Sequence, residues 1–162
     1  MSQAGKWSIY PPMEELFSSA HQSSMSSARN LLARLTDVFR IVEPHPSNLE
    51  VFGHELRHLL ILACTEVESA MKAVLVANGI SPRPDKKGRR RRDYDVVDFL
   101  RLVEPMRLDE RALSLIGFAE FPRLVPFGGC RGGAIPQWWK DHNKVKHDRE
   151  NDLPRATMRN VL

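Results

Sequence analysis

Apolar residues recur at three- and four-residue steps along much of the chain, which is the spacing of one helix face. The first such stripe begins at Ala28 and ends before Pro44, a residue that disfavours helix in the residue preceding it. The longest stripe follows, with Asn48 as the expected N-cap and Gly79 after the last turn. The sequence therefore predicts a helix of about 27 residues between Asn48 and Ala77, about 40 Å long at 1.5 Å per residue, that spans the domain.

Shorter helices are expected in the second half of the chain. Asp95 can cap a helix over residues 94–103, Pro136 can open another, and a last short helix begins near Asp152. In residues 113–127 the apolar residues no longer follow the helical spacing, and this segment is predicted to form two short strands divided around Pro122. The predicted fold class is an all-α helical bundle with a small two-stranded β-ribbon insertion near residues 113–127.

The chain is predicted to be one domain preceded by a loosely ordered N-terminal segment. Prolines and serines in residues 1–22 indicate a lead-in, and residues 23–162 form the helical domain. No apolar stretch approaches the ~20 residues that span a bilayer. Residues 1–10 also lack an apolar signal core. We therefore expect a cytoplasmic protein with no membrane partner.

The positive charge is concentrated in one loop. The chain has 24 Lys and Arg against 20 Asp and Glu, a net charge of +4. Residues 86–92, within a predicted loop over residues 81–93, hold six of these cations, so the remainder has 18 cations against 20 anions. Such a loop can attract phosphate backbones, or it can be a solvated tip without a partner. The candidate phosphate-binding residues here are Arg89, Arg90, Arg91 and Arg92.

One run matches a zinc-protease pattern. His54-Glu55-Leu56-Arg57-His58 places two imidazoles on one helix face, with a Glu that could activate a metal-bound water. Charged Arg57 lies inside the motif, and no third His follows at the usual spacing. The nearby carboxylates Glu66 and Glu68 belong to the same helix, whereas a third ligand usually comes from another element. We therefore expect no metal site and no cofactor.

The most distinctive stretch is residues 138–149, which combines aromatic, amide, imidazole and basic side chains. On a helix, Asn143 and His147 lie one turn apart on a shared face. His142, Lys146 and Arg149 lie on adjoining flanks. This set suits phosphate contact or proton transfer near neutral pH. The alternative is that Asn143 and His147 are buried and hydrogen-bonded between helices.

Several segments together resemble the HEPN superfamily (higher eukaryotes and prokaryotes nucleotide-binding domains). They are the Glu-Val-Glu helix and the Asn-x-Val-Lys-His-x-Arg helix, with shorter pieces between and after them: residues 55–68, 106–108, 126–127, 138–149 and 156–157. The resemblance implies a helical bundle that often dimerises. Many such proteins are metal-independent ribonucleases in toxin–antitoxin, phage-defence or RNA-processing systems, and others are binding or scaffold modules.

The resemblance also assigns roles. Active members carry an Arg, a polar residue such as Asn directly after it, and a His separated from the Arg by four to six residues. Asn143 and His147 match the Asn and the His, and His142 stands where the Arg is expected, or Lys140 in a looser alignment. Because His does not offer the planar fork of Arg to a phosphate, the departure favours binding over cleavage. The prediction is therefore a HEPN-like, homodimeric module that binds RNA or a nucleotide. The alternatives are a metal-independent endoribonuclease using His147, Asn143 and His142, and a non-catalytic scaffold for protein partners.

Overall fold

The computed structural model describes residues 19–118, 120–121 and 123–162, apart from the side chains of residues 19–21 and of Arg149. Helix α1 is Ser19–Phe39, so the end of the predicted lead-in is helical, and its earlier part lies outside the described residues. The other α-helices are α2 His54–Ala77, α3 Val96–Phe99, α4 Gln137–His147, α5 Arg149–Asp152 and α6 Met158–Val161. Short 3-10 turns lie at Pro46–Asn48, Leu100–Leu102, Leu108–Glu110 and Leu153–Arg155. The all-α prediction is confirmed.

Helix α2 is the centre of the packing. It contacts α1, α3, α4 and α6. Leu59 packs with Val38 of α1 and Met158 of α6, whereas the next residue, Leu60, packs with Val145 of α4. Because consecutive leucines bury against different neighbours, α2 is covered on two sides.

The N-cap of α2 is Gly53, five residues later than the predicted Asn48. The side chain of Asn48 does not cap it but donates to the Glu43 carbonyl at 2.9 Å. The carbonyls of Leu49 and Val51 instead accept hydrogen bonds from the backbone N–H groups of Arg159 and Met158, at 2.9 and 2.8 Å. The segment before α2 therefore pairs with the C-terminal segment, and this long-range pairing displaces the helix start.

The predicted two-stranded ribbon is not formed among the described residues. Leu113 and Leu124 make a single antiparallel bridge, with N···O distances of 2.8 and 2.9 Å. The backbone then turns, because Phe118 donates to the carbonyl of Leu115 and Gly117 takes a φ of +90°, a left-handed value that favours glycine. Ile116 at this turn is 98% exposed.

None of the helices in the described ranges is both long enough and apolar enough to cross a lipid bilayer.

Candidate functional site

The basic loop (residues 81–93) is closed by a tight turn around Asp85. The Asp85 backbone N–H donates to the Arg89 carbonyl at 2.9 Å, and the Asp85 carboxylate accepts from the N–H groups of Lys87 and Arg89 at 2.8 and 2.9 Å. The Arg89 guanidinium also binds this carboxylate at 2.8 Å. Hydrogen bonds from the backbone and side chain of Arg89 hold the pKa of Asp85 below its ordinary value. The loop is thus a built turn, and Arg89 is part of it.

A second anchor joins the loop to α3. Arg91 Nη1 donates to Asp95 Oδ2 at 2.6 Å. Asp95 also caps α3 by accepting from the N–H groups of Val97 and Asp98 at 3.0 and 3.1 Å. Partial burial alone would raise the pKa of Asp95, but the bonds from Arg91 and the Asp98 backbone outweigh it and lower that pKa. The predicted cap is present, and it doubles as a loop anchor.

Behind this anchor, the buried carboxylate of Asp98 gathers three arginines. Its Oδ1 lies 3.4 Å from Arg83 Nε and 3.9 Å from Arg101 Nη1, and its Oδ2 lies 3.7 Å from Arg91 Nη1. It also accepts from the backbone N–H groups of Arg83 and Asp95, at 3.0 and 3.1 Å. The sequence analysis did not predict the roles of Arg83 and Arg101. The available signal was the Asp-x-x-Asp capping box, which contains Asp98.

The pairing leaves an excess of free positive charge. Residues 83–101 contain eight cations and four anions, a net charge of +4 that equals the charge of the whole chain. Four of the cations are exposed and have no hydrogen bond or ion pair from their side chains to any described residue: Lys86, Lys87, Arg90 and Arg92. We call them the free cations. Of the predicted phosphate ligands in this loop, Arg90 and Arg92 are available, whereas Arg89 and Arg91 are occupied by carboxylates. Asp93 is also exposed and unpaired among the described residues.

Helix α4 carries a second polar surface. Lys140, Asn143, Lys144 and His147 are exposed, and their spacing of three and four residues places them along one side of the helix. We call this set the α4 stripe. Their side chains have no hydrogen bond or ion pair with any described residue, and exposed Lys146 lies beside them. Arg149 begins α5, and its side chain is outside the description.

His142 does not belong to this surface. Its side chain is 1% exposed, and neither ring nitrogen has a hydrogen-bond partner among the described residues. Burial, with the nearby charges of Lys146 and His147, lowers the pKa of His142. The role expected for His142 beside a substrate phosphate is therefore wrong, because the i, i+3 spacing from Trp139 turns it into the core.

The His54–His58 run holds helices together. Glu55 Oε1 accepts from Arg34 Nε of α1 at 2.8 Å, and Arg57 Nε donates to the Val145 carbonyl of α4 at 3.0 Å. His58 lies 3.7 Å from Glu55. Within the described ranges, no group of three or more His, Cys, Asp or Glu side chains is placed to hold a metal ion.

No family model, curated protein or solved structure matches the chain. Function therefore has to be inferred from the chemistry of these surfaces.

Proposed function

We propose that this protein is an RNA-binding module whose basic loop contacts phosphates through the free cations. The observation that carries the proposal is the exposure of Lys86, Lys87, Arg90 and Arg92, without carboxylate partners in the described chain, on a turn that Asp85 and Asp95 hold closed. Lys and Arg that neutralise phosphates release condensed counterions, which is the main source of sequence-independent affinity for nucleic acids.

The turn suits this role because part of its ordering is already complete. Arg89 and Arg91 are paired with Asp85 and Asp95, and Asp85 also binds the Arg89 backbone, so the turn is formed by contacts within the chain itself. A preorganised loop loses less conformational freedom on binding than a mobile one. Residues 86–93 contain no aromatic side chain on which a base could stack. We therefore expect contacts to phosphates, without strong sequence preference.

The α4 stripe supplies a further polar surface, although it supports the proposal less directly. Lys144, Lys146 and His147 occupy the last turn of α4, where cations also stabilise the helix dipole. The side-chain amide of Asn143 can donate to a phosphate or a ribose. The resemblance of this helix to HEPN domains is what favours RNA over other polyanions.

Metal-independent RNA cleavage is the second candidate, since Asn143 and His147 are both exposed one turn apart. His147 has no hydrogen-bonded side chain among the described residues that would fix its tautomer, and His142 is buried. The geometry therefore supports binding better than catalysis.

A test is the fluorescence anisotropy of a labelled single-stranded RNA of mixed sequence. Arg90→Ala/Arg92→Ala removes two free cations, and Arg29→Ala/Lys72→Ala removes two exposed cations from α1 and α2 as the control of equal net charge. At about 0.1 M salt and a slope of ~0.7 per phosphate contact, losing two contacts should weaken binding about 25-fold. The control should change affinity by less than about threefold. Equal losses in both variants, or no RNA binding by the wild type, would refute the proposal.

A further inference from the structure

A largely apolar cavity of about 430 Å³ lies between α2, the turn at residues 124–128, the start of α4, and α6. Trp138 and Phe127 contact each other edge to face in its wall, with ring centroids 5.5 Å apart, and Trp138 Nε1 donates to the Pro126 carbonyl at 2.7 Å. Aliphatic side chains line most of the remainder: Leu60, Ala63, Val67, Leu124, Val125 and Val161. This volume lies within the ~300–1,000 Å³ typical of small-molecule sites.

Two side-chain amides line the same cavity, and both donate to one buried carboxylate; Asn160 Nδ2 also donates to the Arg155 carbonyl at 2.8 Å. Gln137 Nε2 and Asn160 Nδ2 donate to Asp141 Oδ2 at 2.9 and 3.1 Å, and Asp141 is 6% exposed. Arg155 Nη1 holds the other carboxylate oxygen at 3.1 Å. Because an ionised carboxylate only accepts hydrogen bonds, the amide nitrogens must face Asp141. Both amide oxygens are left without a hydrogen bond to any described residue.

The two ionisable side chains of the lining, Cys64 and Arg159, carry no unpaired charge. Burial, and secondarily the charge of Glu68, raises the pKa of the Cys64 thiol to about 12, so this wall residue stays uncharged. Arg159 Nη2 is paired with Glu50 Oε1 at 2.6 Å. The lining therefore combines aromatic and aliphatic surface with two side-chain amides whose oxygens have no hydrogen bond to a described residue, and Cys64 and Arg159 add no unpaired charge to it.

We infer that this cavity binds an uncharged, planar aromatic heterocycle that carries an amino group. The ring packs against Trp138 and Phe127, and the amino N–H groups donate to the amide oxygens of Gln137 and Asn160. A charged ligand is disfavoured because burial of an unpaired charge is costly. The cavity lining contains none of the free cations of the basic loop, so this inference does not depend on RNA binding.

The test uses 9-methyladenine and 9-methylpurine, which differ only by the amino group and have no ring N–H donor. Tryptophan fluorescence and ligand-observed NMR measure binding. We expect wild-type protein to bind 9-methyladenine about tenfold more tightly than 9-methylpurine, the factor that ~1.4 kcal/mol of hydrogen bonding gives. Gln137→Leu should reduce this preference.

Ala63→Leu narrows the cavity and should weaken both ligands, whereas Lys72→Ala, an exposed change on the same helix outside the lining, should alter neither. Thermal melting shows whether each variant is folded. Absence of 9-methyladenine binding, equal affinity for the two ligands, or full retention of binding in both folded cavity variants would each overturn the inference.

Discussion

Replacing Asp98 with Asn tests how the basic loop is held. The carboxylate of Asp98 is fully buried and accepts backbone N–H bonds from Arg83 and Asp95, while three guanidinium groups lie within 4 Å. Asparagine has nearly the same shape, but one of its two terminal groups becomes a donor. At least one of the two backbone N–H groups therefore loses its acceptor.

The magnitude follows from these contacts. A buried donor left without an acceptor costs about 1–3 kcal/mol. The side chains of Arg83, Arg91 and Arg101 are 47, 25 and 40% exposed, so solvent screens their attraction to the carboxylate. Each such pair contributes about 0.2–1 kcal/mol. Relief of the desolvation of the carboxylate offsets part of the loss. We expect Asp98→Asn to lower the free energy of unfolding by about 2–4 kcal/mol.

Urea denaturation, monitored by circular dichroism, measures the change in the free energy of unfolding. Asp93→Asn is the matched control. This substitution removes the same charge from the same segment, but Asp93 is exposed and its side chain has no partner among the described residues. The control should lie within about 0.5 kcal/mol of wild type. If Asp98→Asn is equally neutral, the account of Asp98 as the anchor of the loop is wrong.

Three further predictions concern His142, cleavage and assembly. Burial lowers the pKa of His142 below 6.5, so the unfolded chain takes up a proton before the folded one. The contribution of His142 to the free energy of unfolding should be constant above about pH 6.5 and should decrease as the pH drops from there towards the lower pKa of the folded state. His142→Phe should lack this pH dependence, and urea titrations at several pH values measure it. In EDTA, wild-type protein and His147→Ala should both leave single-stranded RNA intact; cleavage that the variant abolishes would instead establish the ribonuclease alternative. The homodimer stays a prediction; light scattering should give twice 18.5 kDa, and a mass that stays at the monomer value as concentration rises would exclude it.

Local sequence patterns predicted most of the helices. The three- and four-residue periodicity predicted α1 and α2, Pro136 predicted the start of α4, and Asp95 predicted the cap of α3, because these signals depend on residues within a turn or two of each other. The i, i+4 pairs Asp85–Arg89 and Arg91–Asp95 have the same local origin. These pairs take Arg89 and Arg91 out of the predicted phosphate-binding set, although their spacing is visible in the sequence.

Long-range contacts account for what the sequence did not predict. The start of α2 depends on backbone pairing between residues 49–51 and 158–159, which no local pattern reveals. Asp98 joins Arg83, 15 residues away, and Asp141 joins Asn160, 19 residues away. The burial of His142 depends on which side of α4 faces the core, and Trp139 and Val145 were the available signal because they share that side.

The salt dependence of RNA affinity tests the central claim most directly. If all four free cations contact phosphates, the logarithm of the association constant should fall against the logarithm of salt concentration with a slope of about −2.8. In Arg90→Ala/Arg92→Ala the slope should be about −1.4, because two contacts are lost. A wild-type slope near zero, or an unchanged slope in the double variant, would contradict phosphate binding by the basic loop.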